Sequence, residues 1–251
     1  MPITFTQQTV AEISLVGMGL DLLGGCYLAY DLLGGRRGPL RIIARAAGSL
    51  ALFFVGYLLL IGLSYALVAA SGMGTTLILE FAVAGNQPSR PEVLRARLIT
   101  FGFLRGIVLG LAGMTVAGVA FGIFFGLISG IGLTVSYLVG FAPTDDYAPS
   151  RKPRLSRHKT LASLYRALAV SIAGILAGLF ASSTSVWFGL RLGLAAGVVS
   201  ALIGLFSPII EWRIENLPER RLGLIGLSLI LAGVVLQSIQ YWLTVFAVPV
   251  G

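Results

Sequence analysis

The chain has 251 residues, of which 57% are hydrophobic and only 11% charged, where a soluble domain carries roughly 25% charge. That excludes disorder, which needs low hydrophobicity and high charge, and the long unbroken apolar runs exclude an ordinary soluble domain. One cysteine (Cys26) excludes an internal disulfide and a Cys-rich metal site, and one histidine (His158) excludes His clusters.

What remains is an all-α, polytopic integral membrane helical bundle, a single transmembrane domain over residues 1–251. The first apolar run, 10–33, fits one crossing. The opening MPITFTQQT lacks the basic region of a cleavable signal peptide, so this helix is expected to stay in the mature chain. Within it, Asp21-Leu-Leu-Gly-Gly25 recurs as Asp31-Leu-Leu-Gly-Gly35. Ten residues turn a helix by about 1000°, so the two aspartates share no face and form no carboxylate pair.

The second run, 46–85, is too long for one helix and reads as a tight hairpin turning at Ser71-Gly-Met-Gly74. Its last part, 75–85, covers only about 17 Å at helical rise. It reads as a half-helix or re-entrant segment, which needs burial in protein or a wet cavity. The third run, 98–142, needs two crossings with an outer turn near 115–121. The fourth, 167–210, turns at Ser182-Ser-Thr-Ser185. The last, 222–246, crosses once. The expectation is about eight transmembrane helices with short outer turns.

Charge placement gives the orientation. The net charge is +8, with 18 basic residues. Four polar stretches hold sixteen of them: Arg36, Arg37, Arg41 and Arg45; Arg90, Arg95 and Arg97; Arg151, Lys152, Arg154, Arg157, Lys159 and Arg166; Arg213, Arg220 and Arg221. None lies in 1–9 or 244–251. Positive residues are retained on the cytoplasmic side, so the four stretches are expected inside and both termini outside. Trp187, Trp212 and Trp242 fall near the expected headgroup levels. A nucleic-acid partner does not fit charge spread this way. The partners expected are the bilayer itself, with anionic lipid headgroups against the basic run Arg151, Lys152, Arg154, Arg157 and Lys159, and a homo-oligomer or larger membrane complex. The expected location is the bacterial inner membrane.

Small residues repeat at helical spacing. Gly118, Gly122, Gly126 and Gly130 share one face, and Gly189, Gly193 and Gly197 another. In lipid, helices associate by close packing, which small residues permit. Two such faces in one chain favour packing against other helices of the chain, since the two faces could pack on each other. The segment Arg105–Gly113 resembles Arg166–Gly174, each opening a hairpin. Duplication of hairpins over 98–142 and 163–210 is one reading; shared Gly/Ala/Leu composition is the plainer one.

Charged side chains inside the apolar runs carry most information, since each costs on the order of 2.5–3.5 kcal/mol at mid-helix on insertion scales. Glu12 lies near the outer surface. Asp21 falls near the midplane. Arg105 lies about 10 Å from the inner edge, and Glu80 and Arg191 both about 8–9 Å below the outer edge. Matching depth predicts a Glu80–Arg191 ion pair. Asp145-Asp146 lacks a third ligand, so no metal is expected, and no cofactor motif occurs. His-Glu-x-x-His, Gly-x-Ser-x-Gly and P-loop patterns are absent from the sequence, and His158 falls in a basic loop.

The leading functional reading is a permease or channel-like transporter of an ion or small polar solute along a buried-charge path. The alternative is a non-transporting subunit of a larger membrane complex. A third is a lipid-modifying enzyme using Asp145 or Asp146. The topology is directly testable. In a Cys26→Ser background, single cysteines at Arg36, Arg95, Lys152 and Arg220 are expected to resist a membrane-impermeant maleimide in intact cells. All four should label after permeabilisation. One position labelled from outside breaks the scheme.

Overall fold

The computed structural model describes residues 6–32, 41–84, 91–141, 157–181 and 186–246. Among them are eight α-helices and no strands. They are α1 (Gln7–Leu32), α2 (Arg41–Leu60), α3 (Leu63–Ala84), α4 (Pro91–Ala117), α5 (Val119–Ser136), α6 (Arg157–Phe180), α7 (Val186–Asn216) and α8 (Glu219–Val245). A π-helical turn, Tyr137–Phe141, ends α5. Seven of these are long and apolar enough to cross a membrane, while the apolar part of α2, Ala46–Leu60, is shorter. Helices are the natural outcome, because lipid offers no partner to a bare backbone N–H or C=O.

The chain divides into two compact units, Met1–Ala47 with Ile214–Gly251, and Gly48–Arg213. In the first, α1 and α8 run antiparallel with glycine against glycine. A Cβ added at Gly17 would stand 2.7 Å from the Gly233 carbonyl oxygen, and one at Gly226 would stand 2.7 Å from that of Gly24.

In the second unit the helices form a closed circuit. Leu50 of α2 packs on Gly74 of α3, and Gly72 of α3 on Val108 of α4. The α4 and α5 helices zip along a small-residue seam in which Gly102 faces Thr134, Gly106 faces Gly130, Gly110 faces Gly126 and Met114 faces Gly122. Gly132 of α5 meets Ala169 of α6, with Phe124 and Phe180 rings 5.6 Å apart. On α6 and α7, Gly174 faces Gly193 and Gly178 faces Gly189, while Gly197 sits against Ala167 and Ser171. Val199 of α7 then closes on Gly56 of α2.

Each glycine face therefore packs within the chain, against the partner helix of its own hairpin and not on the other glycine face. The physical reason is that α4 and α6 carry matching small residues of their own. Gly118 leaves the face altogether. It is exposed and caps α5 with φ +84°, a conformation glycine adopts without strain. The turn expected near 115–121 is thus present, with Gly118 at its centre.

The hairpin of the second apolar run turns elsewhere than expected. The break lies at Ile61 and Gly62, whose N–H groups both donate to the Tyr57 carbonyl at 2.8 and 3.0 Å, and Gly62 has φ +127°. Helix α3 runs straight through Ser71–Gly74, and residues 75–84 are its second half, not a re-entrant segment. The hydroxyls of Ser71, Thr75 and Thr76 each donate to the carbonyl four residues back, at 2.6, 2.9 and 2.8 Å. Back-bonding of this kind satisfies small polar residues inside a helix, so composition alone did not mark a turn. Similarly, α6 begins at Arg157, placing Arg157, His158 and Lys159 in a helical turn where a loop was expected. The turn expected at Ser182–Ser185 lies outside the described residues.

Outward positions carry large apolar side chains, among them Leu59 (77% exposed), Ile107 (56%) and Leu127 (55%). A surface of this kind suits lipid and would be an aggregation liability in water. Close seams and apolar flanks make a sharp stability contrast. At Gly126 a Cβ would stand 2.9 Å from both the Gly106 carbonyl oxygen and the Gly110 Cα, while at Gly25 it would meet nothing within 4 Å. Gly126→Leu is expected to lower the melting temperature and folded yield, by about 1–3 kcal/mol or more. Gly25→Ala should be neutral or slightly stabilising. Thermal unfolding in detergent reads both.

Candidate functional site: a buried ion pair among hydroxyls

Helices α3 and α4 are antiparallel neighbours tied at one end. Arg97 of α4 donates through Nη2 to the Val83 carbonyl at 2.7 Å, so a cationic side chain caps the last turn of α3, where the helix dipole favours it. Two turns further along α4 comes Arg105, and its Nη2 donates to Glu80 Oε2 at 2.7 Å. Helical side chains lean towards their own N-terminus, which carries Arg105 back towards Glu80. From Arg97 to Arg105 the helix rises about 12 Å, and from Val83 to Glu80 about 4.5 Å. An extended arginine covers the difference.

The pair is well shielded, the Glu80 side chain being 2% exposed and that of Arg105 12%. Coulomb attraction between such groups is offset by the loss of hydration, so the pair is weak evidence of net stability. Removing one partner alone is far more damaging, by about 3–5 kcal/mol.

This finding corrects the pairing read from the sequence. Glu80 pairs with Arg105, and Arg191 is exposed on α7. The error came from the turn. With the break at Gly62, Glu80 lies one turn from the end of α3, beside the basic segment that opens α4. Arg191 lies one turn into α7, in reach of the interface by snorkelling.

Around Arg105 stand side chains from other helices of the same unit. Its guanidinium carbon is 5.7 Å from the centroid of the Tyr137 ring, within cation–π range. Tyr137 is fully buried. Tyr57 of α2 is also buried. Tyr65 of α3 meets Tyr57 edge-on at 5.1 Å. Arg166 of α6 donates to the Ala162 carbonyl at 3.2 Å and to Ser163 Oγ at 3.3 Å. Gly204 of α7 leaves room for it, since a Cβ there would stand 3.0 Å from Arg166 Nη2. The ion pair and the Tyr137 ring thus join α3, α4 and the end of α5.

None of the remaining sequence candidates is among the side chains just described. Asp21 belongs to the α1–α8 unit, where Gln237 Nε2 donates to its Oδ2. Its Oδ1 is buried over Gly233, with no hydrogen-bond partner among the described residues. Glu12 is half-buried near the start of α1. Arg157 is exposed and Lys159 half-buried, while Arg151, Lys152, Arg154, Asp145 and Asp146 lie outside the described residues. Among the described residues no group of three or more His, Cys, Asp or Glu side chains is placed to hold a metal.

Sequence reading missed Gln237, Tyr57 and Tyr137, and it assigned Arg166 to a loop. Gln237 could have been flagged as an amide inside an otherwise apolar helix. The tyrosines carry no such signal, because tyrosine is common in membrane helices for reasons of packing and interface alone.

The pair predicts a specific mutational pattern. Glu80→Gln and Arg105→Gln should each lower stability by about 3–5 kcal/mol, and the double mutant should lose less than the sum of the two. Arg191→Gln should change stability by no more than about 0.5 kcal/mol. Additive losses at 80 and 105 in a thermal-unfolding double-mutant cycle would reject the coupling. Comparison with protein-family models, curated proteins and solved structures finds no match to this chain, so the chemistry of the cluster rests on its own residues.

Proposed function

We propose that the chain is a small permease or channel-like transporter of an ion or small polar solute, residing in a bacterial inner membrane. The observation that carries this is the Glu80–Arg105 pair, buried inside a six-helix circuit with the Tyr137 ring 5.7 Å from the guanidinium carbon. Ionisable residues within a membrane bundle are costly, face its interior and mark solute paths in many transporters. The path runs through the unit Gly48–Arg213. Asp21, bonded to Gln237 between α1 and α8, serves that helix pair as a polar clasp.

In this reading all eight helices cross. The 20 residues of α2 reach about 30 Å, the thickness of a hydrocarbon core. Both termini then lie outside and the basic stretches inside, where Arg157 and Lys159 meet anionic headgroups. The glycine seams serve packing within the chain.

One observation favours a second reading, a non-transporting subunit of a larger complex. The spans of α1 and α8 are only 28% and 22% buried, leaving a broad apolar flank that lipid or a partner protein would cover. Reconstitution separates the two. Proteoliposomes carrying the purified chain are placed in hyperosmotic potassium chloride with valinomycin, sodium formate with a protonophore, choline formate with a protonophore, or glycerol, so that counter-charge follows a selectively carried ion, and reswelling is followed by light scattering. Faster reswelling than in empty liposomes, in at least one solute and lost in Arg105→Gln, is the expected result. Rates equal to empty liposomes in all four reject transport and leave the subunit reading.

A further inference from the structure

The α1–α8 pair holds a carboxylate that its own residues do not balance. Asp21 lies near the middle of the span Thr9–Tyr30, and Gly233 beside it at the middle of Arg220–Val245. From Ile13 to Tyr30, Asp21 is the only charged residue of α1, and from Leu222 to Val245 α8 carries none. The nearest basic residue along α8 is Arg221, twelve residues before Gly233, or about 18 Å at helical rise.

The carboxylate is nonetheless seated in a fixed place. Its Oδ2 accepts a hydrogen bond from Gln237 Nε2. Its Oδ1 rests on the bare backbone of Gly233, where a Cβ would overlap it. That oxygen is buried, with no hydrogen-bond partner among the described residues. An ionised carboxylate has roughly four lone-pair sites to fill, and a charge at this depth is costly unless something offsets it. A single neutral N–H does not. The residue as a whole is half-buried, next to Met18 and Leu22, which are 53% and 69% exposed. The carboxyl therefore borders the outer flank of the pair.

Charge balance selects the occupant. One carboxylate carries one negative charge. A monovalent cation leaves the site neutral, whereas a divalent ion would leave a net positive charge in hydrocarbon and would want six or more oxygens. Gln237 adds a neutral oxygen, since a side-chain amide carries its carbonyl beside its NH2.

We propose that Asp21 and Gln237 form a binding site for a monovalent cation, a hydrogen ion or an alkali metal ion, taken on Asp21 Oδ1. Gly233 makes the room that Oδ1 occupies, and the bound cation tightens the clasp between α1 and α8. The site uses only residues of this helix pair and does not depend on the transport reading. Its nearest titratable neighbours on α1 are Cys26 and Tyr27, and α8 offers none from Leu222 to Gln240.

The test compares the native chain with Asp21→Asn, which keeps the side chain's size and removes its charge. Melting temperature is measured in detergent across sodium and potassium chloride, with choline chloride holding ionic strength constant, and separately across pH. A cation that binds the folded chain stabilises it by mass action. The difference in melting temperature, native minus Asp21→Asn, should therefore rise with sodium or potassium if the occupant is an alkali ion. If it is a hydrogen ion, the difference should fall as pH rises and ignore the alkali salts. A difference constant in both series, or one that grows with rising pH and ignores the salts, would overturn the site. Should Asp21→Asn fail to fold, the native chain decides by reaction with dicyclohexylcarbodiimide, located by peptide mass mapping. The protonated carboxyl adds across the reagent: its oxygen bonds to the carbodiimide carbon, its proton passes to nitrogen, and an acyl shift leaves a stable N-acylurea. An adduct at Asp21 supports the site if it forms about tenfold more slowly at an alkali concentration ten times the dissociation constant, or more slowly as pH rises. No adduct at Asp21, or one formed at the same rate throughout, overturns it.

Discussion

Backbone meeting backbone is the contact on which the rest of this protein depends. Lipid chains are as apolar as leucine, so burying apolar side chains between helices gains little in a membrane, and close van der Waals packing has to supply the cohesion. The chain meets that need three times, with glycines at intervals of seven on α1 and α8, of four on α4 and α5, and of four on α6 and α7. At each seam the absence of a Cβ is what allows the approach. The bulky residues, in turn, are freed to face lipid.

Close hairpins also decide where polar groups can go. The α4–α5 seam uses one face of α4, Gly102, Gly106 and Gly110, and Arg105 sits beside it on the flank turned towards α3. There it meets the single acid of α3. The seam of α6 with α7 likewise leaves Arg166 beside Gly204. Two arginines thus stand at equivalent points of two hairpins, whether the hairpins share an ancestor or only a composition.

How much of this was legible in the sequence divides along physical lines. Run length and the bilayer thickness gave the helical class, and small-residue spacing gave the buried faces at Gly122, Gly126, Gly130, Gly189, Gly193 and Gly197. Glu80 and Arg105 were both marked as costly charges. Their pairing was not legible, because depth was measured from a turn placed at Ser71–Gly74. Local composition favoured that position; the hydroxyl back-bonds that keep it helical depend on lipid denying those groups any other partner. A misplaced turn moves every downstream depth by half a membrane. Residues such as Tyr137 and Gln237 were invisible for a different reason: their significance comes from neighbours brought together by packing, at separations of 32 residues from Arg105 and 216 from Asp21.

Arg97 and Arg105 leave α4 eight residues apart and land on α3 at Val83 and Glu80. One pin would hold α3 at a point and let it pivot. Two pins, one in a backbone carbonyl and one in a carboxylate, fix a rod against both rotation and sliding. A slip of α3 by one helical turn, about 5.4 Å, would pull both at once. The acid is therefore indexed to the last turn of α3 by a ruler two turns long, and any movement that carries Glu80 must carry α4 with it.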